Sequence, residues 1–125
     1  MRDAGAMVPP QVLRYRLERI QVFPVKDAPG RRLNQGTVTA CGVIGDRPKK
    51  RALLVTSSED MMNDEPRSNL VVDVPSETLR RATGHEMHIG DVVVRLGRQP
   101  SECPGLYAEV VRTGDVLVGD VVVID

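Results

Sequence analysis

Short valine-rich runs, separated by turn residues, dominate the hydrophobic pattern of this 125-residue chain. Strands are predicted where apolar and polar residues alternate or β-branched residues accumulate, in 19–23, 36–46, 68–74 and 105–125. Glycine–aspartate pairs at 90–91, 114–115 and 119–120 follow or interrupt such runs and predict tight turns. This repetition of short strands and turns predicts a meandering or closed sheet.

Two short helices are predicted between these strands. Ser57 or Ser58 is a suitable N-cap for a helix that begins at Glu59. Pro75 predicts the start of a second helix, and Gly84 lies just beyond its expected end. The sequence therefore predicts a mainly β domain with a few short helices. Because a valine-rich core with few aromatic side chains fills a small barrel well, a compact β-barrel is favoured over a sandwich.

Length and composition narrow the class of protein. A chain of 125 residues fits one domain with its own core, which we place at 11–125. Residues 1–10 are small, polar or proline, and we expect them to be loosely ordered. The sequence shows no apolar secretory segment, and every apolar run is far shorter than the ~20 residues of a membrane span. We therefore predict a cytoplasmic protein without membrane contact.

The charge balance excludes one class of partner. Seventeen basic and 17 acidic side chains give a formal net charge of zero. Non-specific binding of nucleic acid needs a broad positive surface, which this balance does not provide. Two tyrosines, one phenylalanine and no tryptophan are also too few for base-stacking platforms. We therefore predict no nucleic-acid partner.

The densest positive charge lies in the stretch GVIGDRPKKR, just before an apolar run. Arg47 and Arg51 could hold a phosphate, because guanidinium groups bind such anions in a bidentate way. The alternative is a solvated loop whose charges keep a strand edge from pairing with another chain. Both interpretations stay open for Arg47, whereas the solvated loop is favoured for Lys49 and Lys50. Asp46 is expected to fold back onto its own turn or to pair with Arg47.

The two cysteines are expected to differ in role. Cys103 lies in a loop between prolines, where a thiolate would suit soft-metal ligation or sulfur transfer. The alternative for Cys103 is an inert side chain in a tight turn. Cys41 is predicted to lie in a strand as a small buried residue. Because two distant cysteines do not make a disulfide framework, we expect a reducing compartment.

The remaining polar candidates favour structural roles. His85 and His88 are not expected to share a metal, because residues three apart in a strand point to opposite faces. The amide of Asn69 could brace a turn or contact a ligand, and the first role is favoured. No nucleophile–base motif is present, which disfavours a hydrolase.

Five sequence elements follow one another in order along residues 14–125. They are an apolar strand with a Pro-Val-Lys turn, the motif GVIGDR at 42–47, the segment RALLVTSSED, an Arg-x-Asn strand from Arg67, and a hairpin that ends in Ile-Gly-Asp. The closing segment GLYAEVVRTGDVLVGDVVVID follows them. This order resembles the MOSC domain, the module named for the C-terminal part of molybdenum cofactor sulfurase.

The resemblance implies a mainly β, barrel-like fold and, as in some members of the family, binding of the molybdenum cofactor. Cys103 corresponds best to the cysteine that carries sulfur or ligates the metal in those members. Arg47, Arg51, Asp46 and Asn69 are then expected to contact the cofactor, with the two arginines as anion contacts. Redox work would need a redox or sulfur-donor partner protein, because the chain shows no electron-transfer module.

Two departures from the family pattern support a second hypothesis. Pro48 stands where the family often has histidine, and only Pro104 separates Cys103 from Gly105 where the family has a longer stretch. The chain could be a non-catalytic small-ligand or protein-interaction module that has lost the cofactor site. A cofactor site predicts Cys103 at a pocket rim shared with Arg47, and its loss predicts a buried or remote Cys103. The valine-rich closing strands could also supply the edge of a homodimer.

Overall fold

The computed structural model describes residues 14–62 and 65–125, so the prediction for residues 1–10 lies outside the described part. The strands are β1 (Tyr15–Val22), β2 (Arg31–Leu33), β3 (Gln35–Thr39), β4 (Gly42–Val43), β5 (Leu53–Ser57), β6 (Leu70–Val72), β7 (Glu86–Ile89), β8 (Val92–Leu96), β9 (Leu106–Arg112), β10 (Gly114–Leu117) and β11 (Val121–Ile124). Short strands with intervening turns are what the valine-rich runs predicted.

Seven of these strands close into a barrel in the order β1-β6-β5-β9-β8-β7-β11, and the pairing of β11 with β1 completes the ring. Neighbouring strands run antiparallel, except β5 and β6, which run parallel. Strand β2 adds to β1 beyond the ring. Strands β10, β3 and β4 form a separate three-stranded sheet. The prediction of a mainly β barrel is confirmed.

The barrel interior is filled by aliphatic side chains. In β5, Leu53 and Val55 belong to the hydrophobic core, whereas Leu54 and Thr56 do not. Side chains alternate between the two faces of a strand, so Leu54 and Thr56 lie on the outer face of the barrel wall. Burying one such leucine or valine contributes about 1.5–3 kcal/mol, which makes this interior the main source of stability.

Both predicted helices are present, and the second is shorter than the sequence indicated. A 3₁₀ helix spans Ser58–Met61, and the hydroxyl of Ser57 accepts a hydrogen bond from the Glu59 amide at 3.1 Å. The helix α1 spans Ser76–Arg80 directly after Pro75, as expected for a proline at a helix start. It ends four residues before Gly84, because the chain turns there towards β7.

Two local predictions were wrong. The pair Gly114–Asp115 was expected to form a turn, but these residues begin β10, where Gly114 pairs with Val38 and the hydroxyl of Thr37 donates to Asp115 Oδ1 at 2.7 Å. Cys41 was expected to be buried in a strand, but it lies exposed in the turn between β3 and β4. No disulfide joins it to Cys103, which is half-buried.

No described helix is long and apolar enough to cross a lipid bilayer.

Candidate functional site

Asn69 lies fully buried just before β6 and connects three parts of the chain. Its Oδ1 accepts hydrogen bonds from the Leu54 amide at 3.0 Å and from Lys49 Nζ at 3.1 Å. Its Nδ2 donates to Gln21 O at 3.2 Å and to Asp46 Oδ2 at 3.1 Å. A side-chain amide offers two donors and two acceptor positions, so the protein itself fills the capacity of Asn69.

Asp46 is the anionic member of the same cluster, and only 4% of its side chain is exposed. Its Oδ1 accepts from the Phe23 amide at 2.7 Å, and its Oδ2 accepts from Lys49 Nζ at 2.9 Å. A buried carboxylate is tolerated only when it is paired and hydrogen-bonded, and both conditions are met here. We call Asp46, Lys49 and Asn69 the Asn69 cluster.

Two expectations for this cluster were wrong. Asp46 was expected to bond its own turn or Arg47, but its described bonds go to the residues named above. Lys49 was expected to be a solvated charge, yet its ammonium group binds two acceptors and its side chain is only 27% exposed. The reason is that Asp46 and Asn69 present two oxygen atoms to the same ammonium group.

A hydroxyl network continues the cluster along the outer face of β5. The hydroxyl of Thr56 donates to Ser68 Oγ at 2.9 Å, and Ser68 Oγ contacts Leu54 O at 3.1 Å. Gln21 Nε2 donates to Ser68 O at 2.8 Å. These buried polar groups are bonded to one another, so they rigidify the wall formed by β1, β5 and β6.

Arg67 fixes the loop that precedes β2. Its guanidinium lies 4.4 Å from the centroid of the Phe23 ring. The same group donates to Ala28 O at 2.7 Å and to Val25 O at 3.2 Å. Because the Phe23 amide also donates to Asp46, Phe23 links Arg67 and this loop to the Asn69 cluster.

The second part of the charged stretch lines an open cleft of about 390 Å³ beside β5, β8 and β9. Lys50, Arg51 and Arg98 line this cleft together with Tyr107, and all three cations are exposed. The guanidinium carbons of Arg51 and Arg98 lie 5.4 and 5.5 Å from the centroid of the Tyr107 ring, within the range of a cation–π contact. We call these four residues the arginine cleft.

The cleft carries uncompensated positive charge. Among the described residues, Lys50, Arg51 and Arg98 take part in no ion pair. Arg95 also lines the cleft, but Glu86 accepts from its Nη2 at 2.9 Å. The carboxylate of Glu109 is the acidic group in the lining. The arrangement can attract an anion and stack a planar group on the tyrosine face.

Cys103 lies in the 97–105 loop that joins β8 to β9. The loop starts beside the cleft, since Gly97 and Arg98 belong to its lining. It then crosses the outer face of β5, because a Cβ built on Gly105 would lie 2.6 Å from both Val55 O and Thr56 Cγ2. The loop therefore carries both a cleft cation and the half-buried thiol of Cys103.

The predicted site residues thus fall into separate groups. Asp46 and Asn69 are brought together, and Arg51 lies in the arginine cleft. Arg47 is half-buried, and its amide donates to Phe23 O at 3.3 Å. A pocket shared by Arg47 and Cys103 stays a prediction.

Two members of the cleft, Arg98 and Tyr107, were not among the cofactor contacts predicted from the sequence. Both enter it because Tyr107 pairs with Leu54 across β9 and β5, and because the Tyr107 amide donates to Arg98 O at 3.0 Å. The signal that could have indicated Arg98 is its position at the start of the cysteine-bearing loop. Tyr107 carried no comparable signal, since alternation alone does not say which strand lies beside it.

Searches of protein-family models and of curated proteins found no match for this chain. Solved structures do match. YuaD from Bacillus subtilis superposes with a TM-score of 0.70 at 14% identity, over 90% of this chain and 96% of that one. YiiM from Escherichia coli gives 0.69 at 14% identity, over 90% and 70%. A crystal structure described as a hypothetical protein gives 0.70 at 16%, over 90% and 68%.

The likeness to YuaD and YiiM supports the MOSC-like fold that the order of sequence elements implied. At 14% identity these matches concern the path of the chain and not the chemistry of any side chain. The function of the MOSC-like domain must therefore be argued from its own residues.

Proposed function

We propose that this MOSC-like domain binds the molybdenum cofactor, with the arginine cleft as the site for the anionic part of the cofactor. The observation that carries the proposal is the exposure of Lys50, Arg51 and Arg98 around one aromatic ring. Arginine binds phosphate in a bidentate way, and lysine adds a mobile positive charge. The donor set of the cleft therefore fits the phosphate of a pterin cofactor.

Cys103 is the proposed soft ligand. A thiolate suits molybdenum or a transferable sulfur atom, and Cys103 lies five positions after Arg98 in one loop. When bound, such a cofactor supplies redox chemistry at the metal or sulfur for transfer. The protein residues would hold the anion at Arg51 and Arg98 and present the thiol. A redox or sulfur-donor partner protein would be needed for turnover.

Asp46 and Asn69 act in this proposal as positioning residues. Each could contact a cofactor only by giving up a hydrogen bond within the Asn69 cluster. Their bonds instead fix residues 46–49, which lead directly into Lys50 and Arg51. Arg47 stays a candidate for a further anion contact, because its half-buried side chain makes no hydrogen bond or ion pair within the described part of the chain.

The test is molybdenum analysis of protein purified from a host that makes the cofactor. Pterin fluorescence after oxidative release detects the organic part independently of the metal. The full chain is compared with Cys103→Ala, Arg51→Ala and the control Arg32→Ala, which changes an exposed arginine on β2 away from the cleft. Near-stoichiometric molybdenum in the full chain and the control, with loss in the first two variants, is expected.

The other outcomes separate the parts of the proposal. Molybdenum retained in Cys103→Ala would keep the cofactor but contradict the ligand assignment. Equal loss in Arg32→Ala and Arg51→Ala would contradict the role of the cleft. Neither molybdenum nor pterin in any form would favour the second hypothesis, a non-catalytic module.

That second hypothesis has an observation in its favour. Two of the four expected cofactor contacts, Asp46 and Asn69, are fully engaged with the protein itself. The cleft would then serve a simpler anionic ligand or an acidic segment of a partner protein. Binding of inorganic phosphate by a chain that never holds pterin would support this version.

A further inference from the structure

Three side chains of metal-ligand type converge where β7 and β11 pair, next to Arg95 at the edge of the arginine cleft. Glu86 and His88 are two apart in β7 and therefore lie on one face of that strand. Asp125 follows β11, and its amide donates to Glu86 O at 3.0 Å, which sets the two residues opposite each other. The register thus gathers all three side chains on the same face.

The three side chains lie close enough together for one ion to contact all of them. His88 Nε2 lies 2.9 Å from Asp125 Oδ2. One ligand atom from each of Glu86, His88 and Asp125 lies within 4.8 Å of the other two. The ligand atoms of a tetrahedral zinc ion, with bonds of about 2.0–2.2 Å, lie about 3.4 Å apart. Rotation of these partly exposed side chains can bring the ligand atoms from within 4.8 Å to about 3.4 Å of one another without moving the strands.

Two neighbours orient these groups from outside. Arg95 Nη2 donates to Glu86 Oε2 at 2.9 Å, and the two residues face each other across β7 and β8. His85 Nδ1 lies 2.8 Å from the main-chain oxygen of Asp125. Metal ligands are commonly held by such outer partners, which fix their direction. A carboxylate has two oxygens, so Glu86 can accept the hydrogen bond from Arg95 with one oxygen and offer the other to a metal ion.

We propose that Glu86, His88 and Asp125 bind a divalent cation of the zinc class. One imidazole nitrogen and two carboxylate oxygens form a donor set that zinc accepts, with water in the remaining position. The two carboxylates outweigh the single charge of Arg95, so the site has a net negative charge that attracts a cation. The bound ion joins β7 to β11, the strand that closes the barrel by pairing with β1.

The expectation that His85 and His88 do not share a metal is compatible with this site. His85 lies before β7 and its ring contacts the main-chain oxygen of Asp125, whereas the ring of His88 contacts the Asp125 carboxylate. The spacing of the two histidines in the sequence could not reveal the site, because Asp125 is distant in the sequence and is brought to His88 only by the pairing of β11 with β7.

The test is calorimetric titration of the full chain with zinc ion. His88→Gln and Asp125→Asn each remove one ligand, and Glu18→Gln, at an exposed position of β1 outside the proposed site, is the control. We expect a single site in the full chain and in Glu18→Gln. We expect each ligand variant to bind at least about tenfold more weakly, since loss of even an outer partner costs that much.

A parallel titration with cobalt(II) separates this site from the thiols of Cys41 and Cys103. Tetrahedral binding without a sulfur-to-cobalt charge-transfer band is expected for a histidine and two carboxylates. A strong band of that kind would overturn the proposal, because it would place the metal on a cysteine. Absence of zinc binding by the full chain, or equal binding by His88→Gln and the full chain, would also overturn it. Folding of each variant is checked by circular dichroism.

Discussion

The Asn69 cluster and the arginine cleft use neighbouring charges of one short stretch in opposite ways. Lys49 is bonded to two acceptors in a largely buried cluster, whereas Lys50 lies exposed in the cleft lining. The cluster holds β1, β5 and the turn at 46–49 together. The cleft leaves its cations available to a ligand. The difference shows that charge density locates a region, whereas burial and partners decide what each charge does.

The largest effect is expected from Asn69→Ala. This variant leaves the Leu54 amide, Gln21 O and part of Asp46 without their bonds, and each unsatisfied buried group costs about 1–3 kcal/mol. We expect the free energy of unfolding to fall by about 3 kcal/mol or more, measured by urea denaturation. A loss smaller than that of an exposed control, such as Asn34→Ala, would show that the cluster is not structural.

Gly105→Ala comes next and tests the link between the loop and the barrel wall. Gly105 has φ +101°, and an added Cβ would lie 2.6 Å from Val55 O. Such backbone strain costs about 1–3 kcal/mol, and relief requires the loop to move away from β5. We expect lower stability together with weaker phosphate binding, because Arg98 begins the same loop. Gly84→Ala is the control, since its φ is also positive but its Cβ would meet nothing within 4 Å.

The adjacent lysines give the sharpest comparison. Lys49→Met leaves the nearly buried carboxylate of Asp46 without its cation and should reduce the free energy of unfolding by about 1–2 kcal/mol. Lys50→Met should leave stability within about 0.5 kcal/mol of the parent, as for most surface changes. Phosphate binding, followed by NMR titration, should weaken only in Lys50→Met. The reverse pattern would contradict the division between cluster and cleft.

The smallest effect on stability is expected from Arg51→Ala. An exposed cation–π contact is worth about 0.5–1 kcal/mol, so unfolding should change little. Loss of a charged donor from the cleft should weaken phosphate binding by about three- to tenfold, which is less than the ~1.5–3 kcal/mol of a charge-assisted hydrogen bond because solvent screens an exposed contact. Arg32→Ala supplies the matched comparison on β2. Equal affinities in the two variants would argue that phosphate binds elsewhere.

Much of the fold could be predicted because its signals are local. Alternating and β-branched runs indicated the strands, and the cap by Ser57 and the proline before α1 indicated both helices. The prediction of a turn at Gly114–Asp115 was wrong because the same dipeptide is compatible with a turn and with the start of an edge strand. Pairing with β3 decides that these residues form a strand and not a turn, and the local sequence does not encode that pairing.

The candidate site was less predictable because it depends on contacts between distant segments. The local sequence does not distinguish Lys49 from the adjacent Lys50. Lys49 differs because it binds Asn69, which lies twenty residues further along the chain. Tyr107 joins Arg51 only through the pairing of β9 with β5. The resemblance to MOSC domains directed attention to the charged stretch at 42–51, but it could not assign each side chain a partner.

The pairing of β1 with β11, which closes the barrel, also affects how the chain folds. It pairs Tyr15 with Val122, so the barrel closes by joining the first and last described strands. Contacts between such distant residues slow folding, because the entropy of a long loop must be lost before they form. Until β11 pairs with both neighbours, the edges of β1 and β7 that it will cover are open to other chains. The period before closure is therefore when this protein is most exposed to aggregation, and when a chaperone has the most to protect.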